Sequence, residues 1–397
     1  MNLSVGARLF RAGLVLAAFM VAALAGLAAQ AAPPFNTPAR NAILLDFDTG
    51  AVLFEKDADT PIPPASMSKL MTLELVFEQL ADGSLSLDDK LPVSEKAWRM
   101  GGSKMFVEVG KRVRLEDLLQ GVIVESGNDA CIVLAEGLAG GEEYFVEQMN
   151  YRAAELGLKN SHFANATGWP HADHYMSVRD LASLARHIIE TFPQYYHFFS
   201  EKSFTYGVDI TSGRPITQPN RNPLLFTGGG ADGLKTGHTA EAGYGLVASA
   251  LRDGRRLVLV IAGLGSERER SQEGDRLLEF GYRNFRNYKL FSAGEVVDTA
   301  PVWLGEKGTV PLAVTKDVIL TLSRRARRGM KVTVIRDEPL SAPITEGSEV
   351  GHVEISTPET ETLSLPLIAT GSAERLGPVG RIKAAFEYLL FGASTGS

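Results

Sequence analysis

The spacing of hydrophobic residues changes several times along the chain, and each spacing predicts a different element. The segment from Leu70 to Leu80 is apolar on most of its surface, with only Glu74 and Glu78 charged, which predicts a buried helix. Further helices are expected from Leu115 to Ala139 with a break at residues 125–129, from Tyr144 to Leu156, from Val178 to Thr191 and from Glu269 to Tyr282.

Short runs rich in β-branched and aromatic residues predict strands between these helices. Two such runs flank the turn Asp48-Thr49-Gly50 and predict a hairpin, whereas the segment from Leu85 to Gly110 is polar and irregular. Later strands are expected from Asp209 to Ile216, from Gly233 to Thr239, from Tyr244 to Leu251 and from Arg256 to Leu264.

The pattern changes at about Tyr288, after which helical periodicity almost disappears. Residues 289–371 contain short β-rich runs separated by turns, which predicts a small β-sandwich. The basic segment from Arg324 to Arg328 is expected to form a solvated turn between two of its strands.

Residues 372–397 form a tail in which the segment from Val379 to Phe391 has the spacing of an amphipathic helix. Its apolar stripe consists of Val379, Ile382, Phe386, Leu389 and Leu390. Two interpretations stay open, because such a helix can lie in a membrane interface or dock on its own protein.

The first 31 residues differ from the rest of the chain. Arg8 and Arg11 precede an apolar run from Ala12 to Ala29, and Ala29-Gln30-Ala31 matches a small-residue cleavage pattern. These features predict a signal peptide and export to the periplasm, where the protein could lie on the outer face of the cytoplasmic membrane. The alternative is an uncleaved anchor, because the run is near the minimum length that spans a bilayer.

Charge and cysteine content narrow the range of functions. The chain carries 40 Lys and Arg against 47 Asp and Glu, and an acidic protein is not expected to bind nucleic acid. Cys131 is the only cysteine, so no intrachain disulfide can form. It lies in an apolar helical run and is expected to be a small buried hydrophobic residue rather than a nucleophile.

The first candidate for chemistry is Ser66, which stands three residues before Lys69 at the head of the first predicted helix. Residues three apart lie on one helical face, so Lys69 can reach the Ser66 hydroxyl. A serine hydroxyl needs a neighbouring base to become a good nucleophile. Burial or a second cation can lower the pKa of a lysine enough for it to act as that base.

Two further motifs follow, Ser126-Gly127-Asn128 between helical segments and Lys235-Thr236-Gly237 at the start of a strand. Ser126 can pass a proton to a leaving group, and the Asn128 amide can hold Lys69 or a substrate carbonyl. Lys235 can depress the pKa of Lys69 and attract an anionic substrate terminus, which Thr236 can also bind.

The same strand can take part in substrate binding through its backbone. Gly237 has no side chain, so an extended substrate can lie along the strand edge. The backbone N–H groups of Ser66 and His238 can then form an oxyanion hole.

The three motifs, in this order, resemble those of the serine D-alanyl-D-alanine carboxypeptidases, the low-molecular-mass penicillin-binding proteins. The runs Gly102 to Phe106, Tyr175 to Asp180 and Lys235 to Thr239 are also typical of that family. Arg270 matches the family's arginine near the substrate carboxylate.

The resemblance implies an α+β fold, with a β-lactamase/transpeptidase-like catalytic domain of antiparallel sheet and helices before a small all-β sandwich. We therefore predict a signal peptide over 1–31, a catalytic domain over 32–288, a β-sandwich domain over 289–371 and a tail over 372–397.

The resemblance also implies an activity. Ser66 would attack the terminal D-Ala–D-Ala of peptidoglycan pentapeptide stems, with Lys69 as base, and water would release the acyl-enzyme. β-Lactam antibiotics would be covalent inhibitors, and neither a metal nor a cofactor is implied. His171 and His174 lie close in sequence, but two histidines without further ligands at suitable spacing favour a loop over a metal site.

Three alternatives stay open. A serine β-lactamase shares the motifs but needs a dedicated glutamate for deacylation, and no convincing candidate is evident. A D,D-endopeptidase needs only a more open groove. A non-catalytic wall-binding scaffold with a vestigial site is the alternative from another class, and the three intact motifs argue against it.

Overall fold

The computed structural model describes residues 35–209 and 211–391, and the predicted signal peptide lies outside these residues. Its first part is built on a five-stranded antiparallel sheet with the order β2-β1-β9-β8-β7. The strands are β1 (Asn41–Asp46), β2 (Val52–Lys56), β7 (Ala231–Thr239), β8 (Gly243–Arg252) and β9 (Arg255–Leu264). The predicted N-terminal hairpin is confirmed, and β7 is the edge strand at the other end of the sheet.

Helices surround the central helix α1 (Lys69–Ala81), which confirms the helix predicted from the apolar run. The others in this part are α2 (Glu95–Arg99), α3 (Leu115–Ile123), α4 (Asn128–Ala139), α5 (Glu142–Glu155), α6 (Val178–Thr191) and α7 (Glu267–Asn284). The predicted break at residues 125–129 separates α3 from α4. This break places Ser126 and Gly127 at the N-terminal end of a buried helix.

Burial of α1 explains why its sequence is apolar all round. Phe77 is fully buried and packs against the rings of Tyr195 and Phe199, at centroid distances of 5.4 and 6.2 Å. Glu74 is also fully buried, and its carboxylate accepts a hydrogen bond of 2.8 Å from Arg152 Nε. A buried charge requires such a partner, so this charged position of α1 is fixed by a tertiary contact.

Some local predictions in this part are wrong. The strand expected from Asp209 to Ile216 is instead a hairpin of β5 (Ser203–Val208) and β6 (Pro215–Pro219). Asp209 begins the turn, because its carboxylate accepts hydrogen bonds from the backbone of Thr211 and Ser212. The irregular segment from Leu85 to Gly110 also contains β3 (Lys90–Pro92) and α2, and β3 pairs with β4 (Arg112–Arg114).

The second part of the chain is almost entirely β-structure around its own hydrophobic core. A six-stranded sheet has the order β14-β16-β17-β12-β11-β15, and β10 pairs separately with β13. The strands are β10 (Phe285–Phe291), β11 (Val296–Trp303), β12 (Thr309–Val314), β13 (Val318–Ser323), β14 (Lys331–Arg336), β15 (Leu340–Ser341), β16 (Glu349–Ser356) and β17 (Leu363–Ala369). The α+β prediction, with a catalytic-type domain before an all-β domain, is confirmed.

The basic segment and the boundary of this second part can be compared with the predictions from the sequence. The basic segment is not a turn but the short helix α8 (Arg324–Gly329), which begins where the Ser323 hydroxyl accepts a hydrogen bond from Ala326 N. The predicted boundary at residue 288 stays a prediction, and β10 begins at Phe285. The last of the described elements is the helix α9 (Pro378–Phe391), and no helix among residues 35–209 and 211–391 is long and apolar enough to cross a membrane.

Candidate active site

Ser66 lies on the 3-10 turn Ala65–Ser68, which leads directly into α1. Two glycines allow other segments to pack against this turn. An added Cβ would lie 2.0 Å from the Ala65 carbonyl oxygen at Gly168, and 2.8 Å from the Pro64 carbonyl oxygen at Gly237. From the sequence, Gly237 is predicted to leave the strand edge open for a substrate. In the structure, the space that its Cβ would take is occupied by the Ser66 turn.

Lys69 is fully buried, and its side chain joins three segments of the chain. Its Nζ donates hydrogen bonds of 2.8 Å to Ser66 Oγ and to Asn128 Oδ1, and it also donates to the Thr167 carbonyl oxygen. Burial lowers the pKa of Lys69 to about 8, and the nearby Arg221 guanidinium contributes to the lowering. A substantial fraction of this amine is therefore neutral near physiological pH, as a base for Ser66 must be.

The second motif is held in place by the polar loop that precedes it. Asn128 Nδ2 donates a hydrogen bond of 2.8 Å to the Gly101 carbonyl oxygen, while its Oδ1 accepts from Lys69. The adjacent Asp129 carboxylate accepts hydrogen bonds from the backbone N–H groups of residues 105, 106 and 107. Asp129 therefore fixes the loop against which Asn128 is oriented.

Lys235 connects the third motif to the second. Its buried Nζ donates hydrogen bonds of 2.9 Å to Ser126 Oγ and 3.1 Å to the Thr236 carbonyl oxygen. Burial lowers the pKa of Lys235 well below its ordinary value, and repulsion from Lys69 and Arg221 adds to this effect. A bound carboxylate would favour the charged form of Lys235, because opposite charges stabilise each other at close range.

Arg270 lies at the same end of the site. Its side chain is buried, its Nη2 donates a hydrogen bond of 3.3 Å to the Arg221 carbonyl oxygen, and its guanidinium lies 5.7 Å from the centroid of the Tyr244 ring. That ring stacks on His238 at a centroid distance of 3.9 Å. Burial, followed by repulsion from Arg221, lowers the pKa of Arg270. Its sequence neighbour Arg268 is exposed.

Contacts connect the predicted site residues into two linked groups. One is centred on Lys69 and the other on Lys235, and the two groups are neighbours, because the charge of Lys69 helps to lower the pKa of Lys235. The predicted residues are Ser66, Lys69, Ser126, Asn128, Lys235, Thr236, Gly237, His238 and Arg270.

Sequence reasoning missed residues that complete the site. Arg221 donates a hydrogen bond to Ser103 Oγ and influences the pKa of both lysines, and Thr167 supplies a carbonyl acceptor for Lys69. Arg221 lies between β6 and β7 in the run Asn-Arg-Asn-Pro, which has no spacing that predicts chemistry. Thr167 acts through its backbone, which its residue type does not reveal.

The arrangement does not include an evident metal centre. Within residues 35–209 and 211–391, no group of three or more His, Cys, Asp or Glu side chains is placed to hold a metal ion. Burial lowers the pKa of His174 to about 4, so this imidazole is neutral, and its Nδ1 accepts a hydrogen bond of 3.2 Å from Ala164 N. The His171 and His174 pair thus belongs to a structured loop.

A serine paired with a buried lysine, beside a cationic cluster at the edge of an antiparallel sheet, is the arrangement of an active-site serine acyltransferase or hydrolase. A family model for D-alanyl-D-alanine carboxypeptidases, peptidase S11, matches residues 27–265. A second model, for the C-terminal domain of penicillin-binding protein 5, matches residues 285–375. The chain belongs to the D-alanyl-D-alanine carboxypeptidase family.

Individual relatives agree with this assignment over most of the chain. The D-alanyl-D-alanine carboxypeptidase DacD of Salmonella typhimurium is 36% identical over 392 residues, which are 96% of this chain and 98% of that protein. The structure of DacD from Francisella tularensis has a TM-score of 0.76 and 32% identity, and the match covers 88% of this chain and 98% of that chain. Penicillin-binding protein 5 from Haemophilus influenzae has a TM-score of 0.75 and 34% identity, with 87% and 100% covered.

The packing of Gly168 against the Ser66 turn generates a prediction. Gly168→Ala is expected to reduce release of D-alanine from a D-Ala–D-Ala peptide by at least about tenfold, because its Cβ would displace the Ala65 carbonyl and with it Ser66. The variant should also unfold at a lower temperature, which a thermal melt would detect.

Gly157→Ala is the matched control. Gly157 has a similar positive φ of 69°, against 77° for Gly168, but an added Cβ there meets no atom within 4 Å. Both variants carry the backbone strain of a left-handed alanine, roughly 1 kcal/mol, and only Gly168→Ala carries the collision. Equal activity of the two variants would contradict the role given to this contact.

Proposed function

We propose that this chain is a serine D,D-carboxypeptidase that removes the terminal D-alanine from peptidoglycan pentapeptide stems through an acyl-enzyme on Ser66. The observation that carries the proposal is the 2.8 Å hydrogen bond between Lys69 Nζ and Ser66 Oγ, in a buried site where the pKa of Lys69 is lowered to about 8. A lysine in this state can act as a general base.

Acylation begins with a neutral Lys69. It takes the proton of the Ser66 hydroxyl while Oγ forms a bond to the carbonyl carbon of the penultimate D-alanine. The backbone N–H groups of Ser66 and His238 stabilise the oxyanion of the tetrahedral intermediate. The developing charge is thus met by fixed dipoles rather than by water.

The leaving group departs as the tetrahedral intermediate collapses. Ser126 gives its proton to the amine of the departing D-alanine, and the ammonium of Lys235, within 2.9 Å, restores the proton of Ser126. Lys235, Thr236 and Arg270 hold the substrate's terminal carboxylate in this scheme. The proton that Lys69 took from Ser66 is then released to solvent, and Lys235 takes up a proton in its place, so that Lys69 is again neutral. Lys69 accepts a proton from the water that attacks the ester and gives it to Ser66 Oγ as the second product leaves.

The carboxylate site is supported by an excess of buried positive charge. Lys235 and Arg270 are both buried, and Arg221 is close enough to lower the pKa of each. Arg270 pairs with the exposed Glu267 at 3.9 Å from Nη2 to Oε1. Burial of positive charge beyond what such a pair offsets is costly, and an anionic ligand reduces this cost. This positive charge favours substrates with a free carboxylate close to the reactive carbonyl, such as a stem peptide or a penicillin.

The alternatives are supported less well. Glu125 is the buried glutamate nearest in sequence to the second motif, but burial, with repulsion from Asp129, raises its pKa to about 8. A carboxyl that is mostly protonated at neutral pH does not suit the fast deacylation of a β-lactamase. Cross-link hydrolysis as an endopeptidase stays an alternative, and a scaffold would have no need of the shifted pKa of Lys69.

Benzylpenicillin is expected to form an ester on Ser66, because its strained amide offers a carbonyl carbon next to a carboxylate that the cations can bind. Intact-protein mass spectrometry of the mature chain should show one added penicillin. Ser66→Ala should lose the adduct completely, and Lys69→Ala should slow its formation by about 10²–10⁴-fold, the usual contribution of a general base.

Ser68→Ala is the matched control for the nucleophile. Ser68 is on the same turn, but its hydroxyl donates to the Ala65 carbonyl oxygen at 3.0 Å and makes no contact with Lys69 that would activate it. This variant should still be acylated. An adduct that persists in Ser66→Ala would assign the nucleophile elsewhere.

The rate constant for acylation by penicillin is expected to rise with pH and level off above a midpoint of about 8, the pKa of Lys69. The rate constant rises with pH because only the neutral amine accepts a proton, and the neutral fraction of Lys69 increases about tenfold per pH unit below the midpoint. Stopped-flow measurements from pH 6 to pH 9.5 would give the profile.

Removal of a nearby cation should shift this midpoint. Arg221→Gln is expected to move it upward, because the Arg221 guanidinium helps to lower the pKa of Lys69. Arg268→Gln, which alters an exposed arginine, should leave the midpoint unchanged. A rate independent of pH across this range would exclude Lys69 as the base.

We further propose that the mature protein is exported and attaches to the outer face of the cytoplasmic membrane through α9. Four apolar residues of the predicted stripe, Val379, Ile382, Phe386 and Leu389, are between 62% and 82% exposed, whereas the side chain of Leu390 lies outside the described ones. A helix with such a face can bind a membrane interface. The domain limits at 31, 288 and 371 are part of the same proposal.

Cell fractionation would test export and attachment together. The chain should be recovered without its first 31 residues, in the membrane fraction after osmotic release of the periplasm. Ile382→Asp/Phe386→Asp should move it to the soluble fraction, whereas Val208→Asp, at an exposed apolar residue of β5, should not. A chain that keeps its N-terminus would refute export, and an unchanged distribution of the double variant would refute attachment through α9.

A further inference from the structure

A cavity of about 630 Å³ opens beside the nucleophile. Its wall includes Ala65 on the Ser66 turn, Gly168 and Trp169 on the following loop, Tyr175, and Thr239 and Glu241 at the end of β7. Because Ala65 immediately precedes Ser66, the cavity lies next to the proposed site of acylation.

The direction of β7 indicates which part of a substrate would reach this cavity. Lys235 and Thr236 bind the terminal carboxylate in the proposed function, and Thr239 lines the cavity. Four residues of strand span roughly 13 Å, and a bound peptide rises by a similar step per residue. The last two residues of a substrate would lie between Lys235 and Ser66. The third residue from its C-terminus would therefore lie at the cavity.

The aromatic walls of the cavity are held in fixed positions. Asn165 binds the backbone of Trp169 on both sides, with 2.9 Å from Trp169 N to Asn165 Oδ1 and 2.9 Å from Asn165 Nδ2 to Trp169 O. The indole lies over Gly102, where an added Cβ would be 3.1 Å from Trp169 Cζ3. Tyr175 stacks on His162 at a centroid distance of 5.9 Å. Such walls suit an aliphatic chain that ends in a cation.

The negative charge at the rim of the cavity also favours a cationic side chain. Glu241 is the one carboxylate among the described residues that line the cavity, and none of those residues is Lys or Arg. Arg40 lies nearby and donates hydrogen bonds of 3.0 and 2.7 Å to the backbone carbonyls of Glu241 and Ala242. The exposed Glu241 carboxylate itself stands at the rim, where a cationic group could approach it.

We infer that this cavity receives the side chain of the residue that precedes D-Ala–D-Ala, and that Glu241 selects a side chain ending in a free amine. The inference rests on the proposed function and adds a substrate class to it. The aliphatic part of the side chain packs against Trp169 and Tyr175, and the ammonium pairs with Glu241. A side chain whose amine has been acylated cannot form this ion pair, so the enzyme acts preferentially on peptides with a free amine at this position.

Two peptides that differ only in this amine provide the test. They are Nα-acetyl-L-Lys-D-Ala-D-Ala, with a free side-chain amine, and Nα,Nε-diacetyl-L-Lys-D-Ala-D-Ala. The mature enzyme should release D-alanine from the first with a kcat/KM about two- to fivefold higher, the range expected for one solvent-exposed ion pair. Glu241→Gln should abolish the preference by lowering only the value for the free-amine peptide.

Control variants distinguish the role of Glu241 from a general loss of activity and from a change in the net charge of the protein. Glu143→Gln, which removes an exposed acid from α5, should leave the preference unchanged. Glu241→Lys should invert it, so that the diacetylated peptide becomes the better substrate. Acylation by benzylpenicillin, which carries no amine at this position, should proceed at the same rate in both Glu241 variants.

The outcomes distinguish this inference from the function on which it rests. Equal kcat/KM values of the wild-type enzyme for the two peptides would overturn the inference while D-alanine release upheld the function. A preference that survives in Glu241→Gln would also overturn the assignment to Glu241. Absence of D-alanine release from both peptides would instead overturn the carboxypeptidase function itself.

Discussion

The contact between the buried Lys69 amine and Ser66 organises the candidate active site. A lysine in the protein interior is costly, and the chain reduces this cost by giving its Nζ three acceptors from three segments. The same burial lowers the pKa of Lys69 to about 8. Burial therefore has two effects. It raises the free energy of the charged ammonium, and it increases the fraction of Lys69 that is neutral and able to act as a base.

The surrounding architecture serves to bring those three segments together. The break between α3 and α4 supplies Asn128, and the loop at Thr167 supplies a carbonyl. The edge strand β7 passes so close to the Ser66 turn that only glycine fits at position 237. Cations lie together at one end of the site, where Arg221 and Arg270 both help to lower the pKa of Lys235. The opposite end is lined by aromatic residues and by Glu241.

Much of this fold could be predicted from the sequence, since periodic apolar runs and short spaced motifs are local signals. The span of α6 was evident from its spacing, and the order of the three motifs indicated the family. Arg221 and Thr167 could not be found in this way, because their roles arise only when distant segments meet. The incorrect prediction of a turn at residues 324–328 has a different cause. The Ser323 hydroxyl, which caps α8, is a local signal for a helix, but the run of arginines favours a solvated turn.

The tight fit of Gly168 on the Ser66 turn has a consequence for how this protein can be observed. The loop that carries Gly168 lies about a hundred residues from the turn in sequence, and Lys69 is anchored to that same loop. The reactive geometry thus cannot exist in a chain whose core is only partly assembled. A fluorescent penicillin would consequently report the completion of folding, labelling native molecules and passing over incomplete ones.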